Sequence, residues 1–185
     1  MFGEIARFLI DTIFTLFGAV LLLRAWMQVI RMPPGNPISR GVFQVTDWLV
    51  LPLRRILPGY RGIDWASLVA AYLTALVFLV LMVAAVGGQP ALLFPLGLLI
   101  ALLTLVKWAL NLLMWLTLLM AVMSWVNPHS PAMPVLDYLT TPFLRPIRRV
   151  LPPIGGADLS PLALFLIIQV LLMLLARGGF LLFGM

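Results

Sequence analysis

Leu144–Pro161 reads LRPIRRVLPPIGGADLSP. Three Arg, four Pro, two Gly and one Asp fall inside it, while its flanks are apolar and almost uncharged. Proline lacks an N–H and fixes φ, so this composition argues against an ordinary helix or a central strand. The stretch is expected to be an irregular, basic connector held between two apolar segments. A weaker version lies upstream at Leu49–Ser67, LVLPLRRILPGYRGIDWAS.

Everything around these connectors reads as membrane. Of the 185 residues, 63% are hydrophobic and 10% charged, against roughly 25% charged in a soluble domain. With no Cys and one His, disulfides, thiolate metal sites, Cys nucleophiles and multi-His metal sites are excluded. The net charge of +6 points to membrane orientation and anionic headgroups rather than to nucleic acid. No cofactor is expected. The start does not read as a cleavable signal, because its apolar run is long and carries Glu4, Arg7 and Asp11.

The first span is expected at residues 8–30, stopping at Arg31-Met32-Pro33-Pro34-Gly35. Residues 37–51 place Val42, Val45, Trp48 and Leu49 at helical spacing, which predicts a short amphipathic helix in the interface. The first basic connector follows, then a span at 65–86 and a turn at Gly87-Gly88-Gln89-Pro90. Residues 91–126 form an apolar run broken only by Lys107, too long for one crossing, yet without a turn near Lys107. One long helix is expected, with Pro95 as the place for a bend. A second amphipathic helix is expected at 131–144, then the second connector and a last span at 160–177.

The two connectors align without a gap. Setting Arg54-Arg55 on Arg148-Arg149 brings Pro52 onto Pro146, Leu57-Pro58 onto Leu151-Pro152, Gly62 onto Gly156 and Asp64 onto Asp158. Upstream, Asn36-Pro37-x-Ser39 answers Asn127-Pro128-x-Ser130. The expected fold is an all-α membrane protein of four transmembrane helices in two tandem repeats, 1–88 and 89–185. Each repeat carries an amphipathic interfacial helix and a basic cytoplasmic connector, and the two are related by an axis along the membrane normal. Arg31, Arg40, Arg54, Arg55, Arg61, Arg145, Arg148 and Arg149 lie in the connectors, and only Arg7 and Arg177 on the other side. The positive-inside rule then puts both connectors in the cytoplasm and both termini outside.

The strings SWVNP and TTPFLRPIRRVLPPIGGADLSP, with NPIS and LPLRRILPG in the first half, resemble the signature of the YggT (YlmG) family of small bacterial inner-membrane proteins. The first half departs from it at Gly59-Tyr60-Arg61 and Trp65-Ala66-Ser67. The resemblance implies links to osmotic or envelope stress, to division and nucleoid placement, and in chloroplasts to cytochrome-complex assembly. It implies no enzymatic activity.

The residues that could carry function are Arg145, Arg148, Arg149 and Asp158 in the second connector, and Arg54, Arg55 and Asp64 in the first. They would dock anionic lipid headgroups or an unidentified membrane or cytosolic protein. The plainer alternative is that the Arg pairs only set topology. Asp64 and Asp158 would neutralise an Arg or the positive end of the next helix. Ser160-Pro161 fits a helix cap. Gly155-Gly156 fits a turn, since no Walker-type GKS or GKT is present. His129 reads as surface. The six Trp read as interfacial anchors, and Gln28, Asn111, Ser124 and Gln169 as interhelical hydrogen bonds. Asp11 and Lys107, at equivalent depth in spans one and three, are expected to pair. A scaffold or assembly factor is the function expected. A small transporter or channel in osmotic ion handling is the alternative, and self-association stays open.

Overall fold

A computed structural model of the chain describes residues 2–33, 35–60, 62–89, 94–151 and 158–183. It consists of α1 (Phe2–Val29), α2 (Pro37–Ile56), α3 (Trp65–Ala85), α4 (Leu96–Val126), α5 (Met133–Val150) and α6 (Ser160–Phe183). Among the described residues there is no strand, only an isolated bridge between Tyr60 and Ile63. α1, α3, α4 and α6 contain segments long and apolar enough to cross a bilayer. At 31 residues α4 is about 46 Å long. Pro95 lies just before its first residue, so the expected bend inside the helix is replaced by a start at Leu96.

Two compact units divide the chain, Met1–Ala109 and Leu110–Met185, and α4 contributes to both. In unit 1, α3 presents a stripe of small side chains to α1. Ala66, Ala70, Ala71 and Ala75 are fully buried together with Ser67. Small residues let two spans approach closely, which gains dispersion where lipid offers no hydrophobic drive. On α1 the same logic operates at Gly18, where an added Cβ would fall 2.2 Å from the Trp108 ring of α4. Trp108 is therefore a core residue, packed also against Phe78 at 5.6 Å between centroids, and not the interfacial anchor its sequence position suggested. Trp48, Trp65, Trp115 and Trp125 are exposed.

α1 ends in a Schellman pair. Met32 N donates to Met27 O at 2.9 Å and Arg31 N to Gln28 O at 3.0 Å, with Arg31 at φ 55°. α2 then starts on Asn36, whose side chain accepts from Ser39 N at 2.8 Å, with Pro37 as the first helical residue. Its Ser39, Val42, Thr46 and Val50 are buried at helical spacing.

In unit 2, the end of α4 packs with α5 and α6 around Met120, Leu136, Leu144, Leu164 and Ile168. The buried face of α5 is Leu136, Leu139, Thr140 and Leu144.

The basic stretches depart from expectation. Their composition predicts irregular chain, but α2 continues through Pro52 to Ile56 and α5 through Pro142 and Pro146 to Val150. The Arg pairs therefore stand on the last turn of a helix, where cations suit the dipole. Pro52, Pro142 and Pro146 all lie on exposed positions. The carbonyls they cannot serve belong to the outward side, and the opposite face is packed. In α5, three buried Leu at about 1.5–3 kcal/mol each offset two interior Pro at about 3 kcal/mol each. The helices leave in the same way: Leu57 N donates to Leu53 O and Leu151 N to Ile147 O, both at 2.8 Å. The turn expected at Gly155-Gly156 lies outside the described residues.

Candidate functional site

The first cluster gathers at the ends of α1 and α2 and the start of α3. Arg54, in the last turn of α2, meets Asp64, the N-cap of α3, with Nη2 2.5 Å from Oδ2. Asp64 is fully buried and also accepts from Ser67 N at 3.2 Å and Ser67 Oγ at 2.7 Å. Arg54 Nη2 also donates to Gln28 Oε1 of α1 at 3.2 Å. The Arg–Asp interval in the sequence thus closes an intramolecular ion pair.

Sequence reasoning missed the centre of this cluster. Arg24 of α1 is 3% exposed. Its Nη1 donates to Thr46 Oγ1 at 2.6 Å and to Asp47 Oδ1 at 2.7 Å, both on α2. Its Nε lies 3.8 Å from Asp64 Oδ2, and the guanidinium stands 4.9 Å over the Phe43 ring. Two cations, Arg24 and Arg54, face two carboxylates, Asp47 and Asp64, so the buried Arg24 and Asp64 are each paired, with the half-buried Asp47 and Arg54 completing the balance. Balance matters, because a buried ion left unpaired costs several kcal/mol. The signal was present as a lone Arg inside an apolar span, where an ionised group demands a partner.

The second cluster is more open. Arg148 Nε donates to Asp158 Oδ2 at 2.9 Å, and its Nη2 is 3.8 Å from Asp137 Oδ1. Asp158 Oδ1 accepts from Ser160 N at 2.9 Å. Partial burial pushes the Asp158 carboxyl up, but hydrogen bonding from Ser160 and the Arg148 guanidinium outweighs it and holds the group below its ordinary value. Ser160 is the first residue of α6 rather than its cap, and the Asp158 carboxylate takes its main-chain N–H.

Sliding Leu23-Arg24-Ala25 onto Leu119-Met120-Ala121 in the sequence sets Met120 against Arg24, and the alignment of the Arg pairs sets Thr140 against Thr46. Thr140 Oγ1 sits 2.9 Å from Met120 Sδ and 2.8 Å from Leu136 O. Thr46 likewise bonds Val42 O at 2.6 Å. The same two side-chain positions meet in each unit, with a guanidinium in one and a thioether in the other.

Arg55, Arg145 and Arg149 are exposed and make no ion pair among the described residues. Asp11 and Lys107 are both exposed. Gln28 and Gln169 do make interhelical bonds, the latter to Met114 Sδ at 3.3 Å. No group of His, Asp or Glu suited to a metal occurs among the described residues.

Apolar helices of spanning length, with charged side chains gathered at helix ends, define a multi-pass α-helical membrane protein. The chain belongs to the CCB3/YggT family, whose model matches residues 3–85 and 99–178. It is similar to the uncharacterised protein YggT of Escherichia coli K12, 41% identical over 184 residues, 96% of this chain and 95% of that one. It is 42% identical over 165 residues to an uncharacterised protein of Vibrio alginolyticus, covering 88% of each. An uncharacterised Pseudomonas aeruginosa protein is 33% identical over 180 residues, 94% of this chain and 89% of its own. No solved structure matches the chain.

Proposed function

We propose that this is an inner-membrane scaffold or assembly factor, with its basic helix ends in the cytoplasm and its termini outside, and that α5 carries its docking face. One observation carries this reading. Arg145 and Arg149 stand exposed and without an acidic partner among the described residues, on a helix whose other face is anchored in the core. Arg55 of α2 is exposed in the same way as Arg149, but Arg145 has no basic counterpart there, its matched position being Leu51, and Arg24 and Arg54 are held in ion pairs. The two halves act as tandem copies in which the first has become the structural one and the second the recognition one. The family resemblance is what supports a role in osmotic or envelope stress or in cell division.

A transporter of small ions fits less well. Transport sites favour discontinuous helices near the midplane, whereas α1, α3, α4 and α6 run unbroken through their described residues. The buried charges lie at helix ends: Arg24 is five residues from the end of α1, and Asp64 caps α3.

Reversing charge with Arg145→Glu and Arg149→Glu should abolish the protein's cellular role and its crosslinks to a partner, while membrane insertion stays intact. Loss of insertion without loss of partner crosslinks would assign these Arg to topology alone.

A further inference from the structure

Unit 1 holds a lateral cleft of about 420 Å3 bounded by α1, α2 and α3. Ile13 and Phe17 form one wall and Leu73, Thr74 and Val77 the other, with Trp48 of α2 at the rim, stacked on Phe17 at 5.8 Å. The only hydroxyl, on Thr74, is spent on Ala70 O at 2.8 Å. Apart from the indole N–H of Trp48 at the rim, the lining offers a ligand no side-chain hydrogen bond, and hydrocarbon suits it best. Ile13, Val77 and Trp48 are half or more exposed, so the cleft opens toward the side where a spanning helix meets lipid. Its volume equals about one turn of a helix ~10 Å across, and a partner span needs five or more turns.

Charge supplies the other half. Arg55 lies seven residues after Trp48, which puts it on the same face of α2 about 10 Å away. It is exposed and has no ion pair among the described residues. A cation at the interface, set about two turns from an apolar slot, matches a headgroup joined to a chain. We infer that this cleft is a lipid site, taking one acyl chain of a phospholipid whose anionic headgroup rests on Arg55.

The test uses the full chain in phosphatidylcholine vesicles with a trace of phosphatidylglycerol or phosphatidylcholine carrying a diazirine in the acyl chain. Irradiation and peptide mass spectrometry then locate the label. Label should concentrate on Ile13, Phe17, Leu73 and Val77 over exposed positions of α6 such as Leu166 and Val170. The phosphatidylglycerol probe should exceed the neutral one about fivefold, the share of one surface Arg. Arg55→Gln should remove that excess and leave the chain labelling in place, and Val77→Trp should drive label out of the cleft. Even labelling around all spans, or equal labelling by both probes in the unaltered protein, overturns the site. Crosslinks joining two copies through the cleft overturn it too. Should Val77→Trp fail to insert, the unaltered protein and Arg55→Gln still decide.

Discussion

Asp64 and Asp158 each follow an Arg-Arg pair at the same interval, and each bonds the first Arg of its pair. Their surroundings differ. Asp64 is 0% exposed and shares its carboxylate with Ser67 and, at longer range, Arg24, whereas the Asp158 side chain is 36% exposed. The sequence alignment sets Met120 and Thr141 against Arg24 and Asp47, so a cluster of four charges built on the buried Arg24 and Asp64 gives way to Arg148 with Asp158 and Asp137 at the surface. A motif can thus be kept in sequence and in contact while its energetic weight changes. Dielectric decides: the same Coulomb interaction is screened at the surface and costly to disturb in the interior.

The largest expected contrast comes from deleting the two carboxylates. Asp64→Ala leaves Arg24 and Arg54 without their shared acceptor and should cost about 3–5 kcal/mol. Asp158→Ala breaks a solvent-screened pair and the bond to Ser160 N, and should cost about 0.5–2 kcal/mol. Unfolding of the two variants in the same detergent measures both. Equal losses would mean that the burial difference has no energetic meaning.

A smaller effect separates charge from shape. Arg24→Met gives unit 1 the side chain found at Met120, but it strands Asp47 beside a thioether and should cost about 2–3 kcal/mol, the range of a hydrogen bond to a charged group. Adding Asp47→Thr completes the resemblance to unit 2 and should recover most of that loss, because it removes the carboxylate left without its cation. A double variant no better than Arg24→Met would show that Arg24 holds unit 1 together through Asp64 instead. Smaller still, Thr46→Val removes an acceptor from a buried guanidinium and should cost about 1.5 kcal/mol, against about 0.5 kcal/mol for Thr140→Val beside Met120. The same melting curves rank the two.

Much of this was legible from residues alone. Hydropathy located the spans, since α3 was expected at 65–86 and runs Trp65–Ala85. The Arg–Asp spacing pointed to neutralisation of an Arg, which the ion pairs show. Proline misled. Its local penalty is readable in sequence, but the buried Val50 and Leu144 on the opposite face, which keep α2 and α5 helical past Pro52 and Pro146, belong to tertiary packing. Arg24 was legible as an anomaly but its partners were not, because Thr46 and Asp47 come to it only when α2 folds back on α1. Trp108 was misplaced for the complementary reason: nothing local reveals that Gly18, ninety residues earlier, leaves room for its ring.

The smallest effect concerns pH and salt. Asp158 titrates below its ordinary value in the folded protein, so the folded state binds its proton less readily than the unfolded chain does. Its contribution to stability is then fully present above the unfolded value of about 3.9, and is lost as pH falls through that value toward the lower folded one. The difference in melting temperature between the unaltered protein and Asp158→Asn should stay flat from pH 8 to about 5 and shrink below about 4. Being carried by side chains about one-third exposed, it should also fall when salt is raised to ~1 M, where the Debye length is ~3 Å. The corresponding difference for Asp64→Asn should hardly respond to salt, because no ion reaches a carboxylate buried beneath α2 and α3. If the Asp158 difference varies between pH 7 and 5, a group other than this carboxylate controls the second cluster. If both differences screen alike, water reaches Asp64 and the contrast between the two units is one of degree only.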